Sequence, residues 1–333
     1  VSQNAQQKLL QLDTDFILPY LQEKSRNSLD ISNLLWVYQS KRSNFFSAAQ
    51  ILYSLAVSDF DIKLDQRIEY LSRANGFCNS VCPPSQRQQM IQLAGLIQEI
   101  FDVAAAQDDI LSLVKNDSRV DVDSRTELVN QLDGKILPVS DLFNDFADPL
   151  GYYEICLVIF KISDFRNSDE IMSKWLELFD SLKSEISSNS NDLSPEDSAN
   201  FINLLTSVVV KVGKRVRTSD FVFPVADLFP VICNLFYEDL PHEHIKEGSI
   251  ASIFVLAGVS YDKLYYVLKD LIETADFVNT VYKSEILWLI KEWYQSDRRL
   301  RDVIAFDEVR NLKTYSIDTD PIENYTKRTG NSI

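Results

Sequence analysis

Glycine and histidine are the scarce residues of this chain, eight and two among 333. Average usage of about 7% glycine would give about three times as many. Strand-rich folds need glycine at tight turns and bulges, so its scarcity favours helices. The same scarcity removes the motifs that cradle phosphate or present a nucleophile: there is no P-loop and no G-x-S-x-G elbow. With two histidines, no His–Asp–nucleophile set can be assembled at recognisable spacing, which argues against an enzyme and against a small-molecule substrate.

Cysteine is sparse as well. Cys78 and Cys82 stand four apart, but Pro83-Pro84 follows and no second pair completes the four-ligand set of a structural zinc. With Cys156 and Cys233 they read as reduced thiols of a helical core. No long apolar run is present. The longest, Ile250 to Val259, is broken by Ser252 and falls short of the roughly 18 residues that span a bilayer, so membrane contact by this chain is expected to be indirect or interfacial. Positive charge is the last shortage. Against 49 acids stand 33 bases, a net charge of -16, which repels nucleic-acid phosphates and anionic membranes alike.

What the chain does have is apolar residues, 45% of the total, repeating at helical spacing. Asp13 to Ser25 reads as a helix with Pro19 inside it, where a bend is expected. Asp30 is placed to cap Ile31–Lys41, and Ser43 or Asn44 to cap Phe45–Val57. In the latter, Ala48, Ile51, Leu52 and Leu55 share a face, and Ala48-Ala49 and Ala56 let a neighbour approach closely. Leu64–Cys78 follows. Ser85 with Gln88 forms a capping box for a helix to Ala106, about 30 Å long at roughly 1.5 Å per residue. Ser124 with Glu127 forms another, for a helix ending at Gly134. Tyr152–Ile162 is apolar nearly all round and so is expected to be central.

The polar stretch from Ser184 to Ser194 reads as a linker, and Ser194-Pro195-Glu196 as a helix start. Helices are expected over 200–217, 224–237, 241–259, 261–274, 279–296 and 299–312. The reading is therefore all-α: an elongated, irregular solenoid of stacked antiparallel helices, with parts 1–190 and 191–312 and a frayed polar tail, 313–333. No fixed-period repeat is evident, which argues against consensus repeat arrays.

Three constellations compete with purely structural explanations. His242-Glu243-His244 could share a metal on a strand, but on a helix the two imidazoles diverge by about 200°, and a polar helix start after Pro241 accounts for the same cluster. Asp121-Val122-Asp123 and Asp318-Thr319-Asp320 look like calcium-loop fragments but lack the glycine and the closing glutamate; they read as N-cap and turn acids. No metal or cofactor is assigned. The run Lys211-Val212-Gly213-Lys214-Arg215-Val216-Arg217 is the one basic cluster. It could receive an acidic peptide or serve as an import signal, or it could be the cationic last turns of a helix, which the macrodipole favours. Phe221, Phe223 and Phe229 straddle the connector that follows. Lys211, Lys214, Arg215 and Arg217 with these three phenylalanines are thus expected to flank a groove for an apolar linear motif.

The segment from Leu34 to Ala74 carries a resemblance. Trp36-Val37-Tyr38, the Ala-Ala-x-x-Leu-x-x-Leu-Ala pattern from Ala48 to Ala56, and Leu64 with Arg67-Ile68-Glu69-Tyr70-Leu71 through Ala74 are similar to the matching segment of the large scaffold nucleoporins of the nuclear pore's inner ring. In that family a β-propeller precedes a long C-terminal α-solenoid, of which this chain would be a part. The resemblance implies a non-catalytic structural role at the nuclear pore complex of the nuclear envelope, supporting pore assembly and nucleocytoplasmic transport, mRNA included. It implies other nucleoporins as partners: linker nucleoporins captured through short linear segments, inner-ring scaffold subunits and pore membrane proteins. A helical nuclear transport receptor or a vesicle-coat-like scaffold subunit is the alternative that acidic helical stacks leave open.

Overall fold

The computed structural model describes residues 10, 14, 16–186, 195–239, 245–274 and 279–296. Among them there are fourteen α-helices and no strand. The chain forms two compact units, Val1–Ser163 and Asp164–Ile333. The expected boundary at 190/191, the helix over 299–312 and the polar tail all lie outside the described residues, as do His242 and His244.

In the first unit the helices are α1 (Ile17–Ser25), α2 (Leu29–Lys41), α3 (Phe45–Ala56), α4 (Leu64–Cys78), α5 (Arg87–Asn116), α6 (Val122–Leu132), the single turn α7 (Val139–Asp141) and α8 (Tyr153–Ile162), with a π-helical turn at Leu142–Ala147. Each of α1 to α5 packs on the next, and α8 closes against α5. The small residues decide how close they come. Ala48, Ala49 and Ala56 of α3 and Ala74 of α4 are fully buried, small side chains that let neighbouring helices approach closely. Ile155 to Phe160 are all buried, as an all-round apolar helix requires.

Several boundaries differ from the sequence expectation. Pro19 falls in the first turn of α1, where its missing N–H is no loss. The α2 cap is Ser28, whose hydroxyl accepts from the Ile31 N–H at 3.4 Å, rather than Asp30. The α6 cap is Asp121, which accepts from Asp123 and Ser124, rather than Ser124. Pro84–Gln86 is a 3-10 turn and α5 continues ten residues past Ala106 to Asn116. That extension passes through Gln107, a polar residue that is fully buried. Its amide donates to the carbonyls of Leu132 (2.7 Å) and Lys135 (2.8 Å) and accepts from the Leu137 N–H (2.8 Å), which satisfies the connector after α6 from inside the core.

A second buried polar residue does the same for the α3–α4 connector. Arg67 is 1% exposed. Its guanidinium donates to the carbonyls of Ala56 (2.7 Å), Ser58 (2.8 Å), Phe60 (2.8 Å) and Ile62 (3.2 Å). The two connectors then tie to each other: Asp133 accepts from the Leu64 N–H at 3.3 Å, and Lys135 pairs with Asp59. A third tie joins the connectors before α6 and before α8. Asp117 accepts from Arg119 and, at 2.9 Å, from the Tyr152 hydroxyl, while Arg119 donates to the Leu150 carbonyl at 3.0 Å.

The second unit holds α9 (Ser168–Ile186), α10 (Pro195–Val216), α11 (Val225–Asp239), α12 (Ser249–Ala257), α13 (Tyr261–Thr274) and α14 (Asn279–Ser296). The helix α9 starts close after the first unit and precedes the polar stretch that the sequence marks as a linker. The core is built on aromatic contacts: Trp175 with Phe179 and Phe223, Phe254 with Phe223 and Phe229, and Phe229 with Tyr282. The N-terminus of α12 is capped from another helix. Glu285 of α14, 1% exposed, accepts from the Ala251 N–H at 2.7 Å. Burial pushes its carboxyl up to about 7, against the opposing pull of the Ala251, Gly248 and Ile250 N–H groups and with a further push from Glu247. Gly248 opens α12 at φ +79°, and a Cβ there would stand 2.0 Å from the Trp288 indole, so both conformation and space require glycine.

Candidate partner-binding surface

The valines of α10 set the orientation of the basic run. Val208, Val209, Val212 and Val216 recur at helical spacing and are buried, so Lys211 and Lys214 face solvent and Arg215 is half-buried at their side. Gly213 lies on the buried side. A Cβ there would meet the Ala257 side chain at 2.8 Å and the Phe223 ring at 2.9 Å, so α10 and α12 approach as closely as they do because residue 213 has no side chain. Arg217 reaches across to the C-terminus of α12 and donates to the Gly258 carbonyl at 3.2 Å, a favourable place for a cation.

The connector that follows divides the phenylalanines. Ser219 accepts the Phe223 N–H through its carbonyl at 3.0 Å, and Trp175 donates from Nε1 to the Val222 carbonyl at 2.9 Å. Val222 and Phe223 are drawn inward, leaving Phe221 45% exposed while Phe223 and Phe229 are 1% and 0%. The seven residues marked from sequence therefore do not form one surface. Lys211, Lys214, Arg215, Arg217 and Phe221 reach the outside. Phe223 and Phe229 do not, because the aromatic core through Trp175, Phe254 and Tyr282 takes both rings.

Two residues join this surface from elsewhere in the chain. Arg166 sets its guanidinium over the Phe221 ring, 5.2 Å from the centroid, and pairs with Asp164 at 2.6 Å. That carboxylate raises the guanidinium above its ordinary value. Lys263, at the start of α13, pairs with Asp220 beside Phe221. Sequence reading missed both, and no local signal marks them: they are 55 and 42 residues from Phe221, and only the packing brings them together. Among the described residues no group of three or more metal-ligating side chains is assembled, and no helix is long and apolar enough to cross a membrane.

The helical order and this surface can be set beside known proteins. A family model described as non-repetitive/WGA-negative nucleoporin C-terminal matches residues 1–328. The chain belongs to this nucleoporin family. It is a constituent of the nuclear pore complex, and the family is structural rather than enzymatic. The chain is 58% identical over all 333 residues to nucleoporin NUP170 of Saccharomyces cerevisiae, covering 22% of that protein. It is 35% identical over 285 residues to the probable nucleoporin C890.06 of Schizosaccharomyces pombe, a match that spans 86% of this chain and 21% of that protein. The chain thus spans about a fifth of the length of these relatives. Among solved structures it is similar to the Chaetomium thermophilum Nup170 C-terminal domain in complex with Nup145N, with a TM-score of 0.79 at 26% identity, covering 97% of this chain and 66% of that one. The all-helical nucleoporin fold expected from the sequence is the fold observed.

Proposed function

We propose that this part of the nucleoporin acts within the inner ring of the pore as a scaffold that captures linear segments of linker nucleoporins and supports pore assembly and nucleocytoplasmic transport. The observation that carries this reading is the similarity, over 97% of the chain, to a domain solved with Nup145N bound. The physics of the fold supports it. In the first unit, neighbour-on-neighbour helices with connectors pinned by Arg67, Gln107 and Asp117 form a stack of the kind suited to receiving short unstructured segments. Inner-ring scaffold subunits and pore membrane proteins are further partners on this reading, and membrane contact by this segment is indirect.

The test is affinity capture with the purified chain on cell extract, followed by crosslinking and mass spectrometry. Recovery of linker nucleoporins with crosslinks confined to short segments is expected. Recovery of inner-ring scaffold subunits alone would sink the linker part of the reading. Recovery of transport cargo or coat subunits in their place would sink it altogether.

A further inference from the structure

We propose that the joint between α12 and α14 is a proton-dependent clasp: while Glu285 holds a proton, α14 stays closed over the start of α12, and loss of that proton favours its release.

The clasp is made by one side of α14. Glu285, Trp288 and Lys291 recur at three-residue spacing along it, and all three meet the start of α12. Glu285 accepts from the Ala251 N–H at 2.7 Å. Trp288 lies against Gly248, where even a Cβ would stand 2.0 Å from its indole. Lys291 pairs with Glu247 at 3.6 Å. The carboxyl itself is shut away from water, and Ile286 and Leu289 of the same helix are buried with it.

A carboxylate in such a place needs a cation or a proton. Lys291 is engaged by Glu247, and Lys283, two residues back, leaves α14 about 200° around the helix from Glu285. The other titratable groups around it supply no positive charge. Glu247, ahead of α12, repels it. Cys233 and Tyr237 of α11 lie within its field, and Tyr282, almost one turn back on α14, packs on Phe229. The helix α12 carries no ionisable side chain, and α13 turns Tyr261 and Tyr265 to Trp293, about two turns further along. What remains is the N-terminal dipole of α12, offered through the Gly248, Ile250 and Ala251 N–H groups, and a proton. Burial accordingly raises the carboxyl to about 7. With α14 released, the group returns to water and to its ordinary value of 4.5. The closed state therefore holds the proton more tightly. Closure is favoured in full below the open-state value and weakens as pH rises through 7. Release would uncover Ile286, Leu289 and Trp288 together with the start of α12, an apolar surface shown at the higher pH and hidden at the lower.

The test is hydrogen exchange of the whole chain, read by mass spectrometry at pH 6 and pH 8, with each rate divided by that of an unstructured amide at the same pH. Amides of α14 and of the first turn of α12 are expected to be less protected than those of α10 at both values, and to lose about tenfold in protection between them. Amides of α3 and α4 should keep theirs. Glu285→Gln keeps an acceptor for the Ala251 N–H and should hold the protection of α14 constant. Glu247→Gln, at an exposed position, removes a repelling charge and should diminish the fall. Equal or greater protection of α14 at pH 8 in the parent would overturn the clasp. An undiminished fall in either variant would also overturn it, assigning the titration to another group. Uniform protection across α9 to α14 would overturn it in favour of unfolding of the second unit as a whole.

Discussion

The guanidinium of Arg67 donates from Nη1 to the Ala56 carbonyl at 2.7 Å, inside the core. The carbonyls of residues 58, 60 and 62 complete its shell. A buried cation held by backbone dipoles fixes the course of a connector, because one guanidinium is the shared donor to four carbonyls along it. Arg67→Leu should therefore destabilise the first unit by about 3 kcal/mol or more, and Arg67→Lys, which cannot fork to four acceptors, should recover little. Chemical denaturation read by circular dichroism checks this. A loss under about 1 kcal/mol would show that the connector holds without it.

Phe221 and Phe223 stand two residues apart with opposite roles. Phe223→Ala opens a cavity against Trp175 and Phe254 and should cost about 3–5 kcal/mol. Phe221→Ala should stay within about 0.5 kcal/mol of the parent. Equal losses would mean that the two rings share one environment.

Asp117 accepts from the Arg119 guanidinium at 2.7 Å and from the Tyr152 hydroxyl at 2.9 Å. The Arg119 bond holds its carboxyl well below the ordinary carboxylate range. A depressed native value means that the stabilisation is present above the unfolded value of about 4 and is lost as pH falls through the native one. Asp117→Asn should cost about 1–2 kcal/mol at neutral pH and nothing once the parent has lost the charge. Unfolding of the first unit from pH 7 down to pH 2 in parent and variant would show the two curves converging.

Glu285 has the opposite sign. Its carboxyl is raised from 4.5 to about 7 in the folded state, so the native state holds a proton that the unfolded chain has released. The favourable contribution is present below about pH 4.5 and is lost as pH rises toward 7, on the order of 3 kcal/mol. Glu285→Gln keeps an acceptor for the Ala251 N–H and removes the titration. The pH dependence of second-unit stability between pH 5 and 8 should flatten in this variant, and a parent that gains stability across the same window would contradict the account.

The sequence by itself determined the fold class. Scarce glycine, the small residues at 48, 49, 56 and 74, and apolar residues at helical spacing are local facts, and helix formation is largely a local affair. Caps were legible only as neighbourhoods: Asp30 was expected where Ser28 serves, and Asp121 and Ser124 both stood at the start of α6, since several polar residues near a helix start can each accept the same N–H. What only the tertiary structure decided concerns residues whose chemistry depends on partners far away in the chain. Gln107 reads as a helix end but is buried, because a connector 25 to 30 residues onward needs its amide. Glu285 is marked by nothing local, yet it caps a helix 34 residues back. Phe223 and Phe229 read like Phe221, and the choice of which ring turns inward belongs to Trp175, Phe254 and Tyr282. Burial is a property of the whole packing, and no window of sequence around a residue contains the surfaces that will cover it.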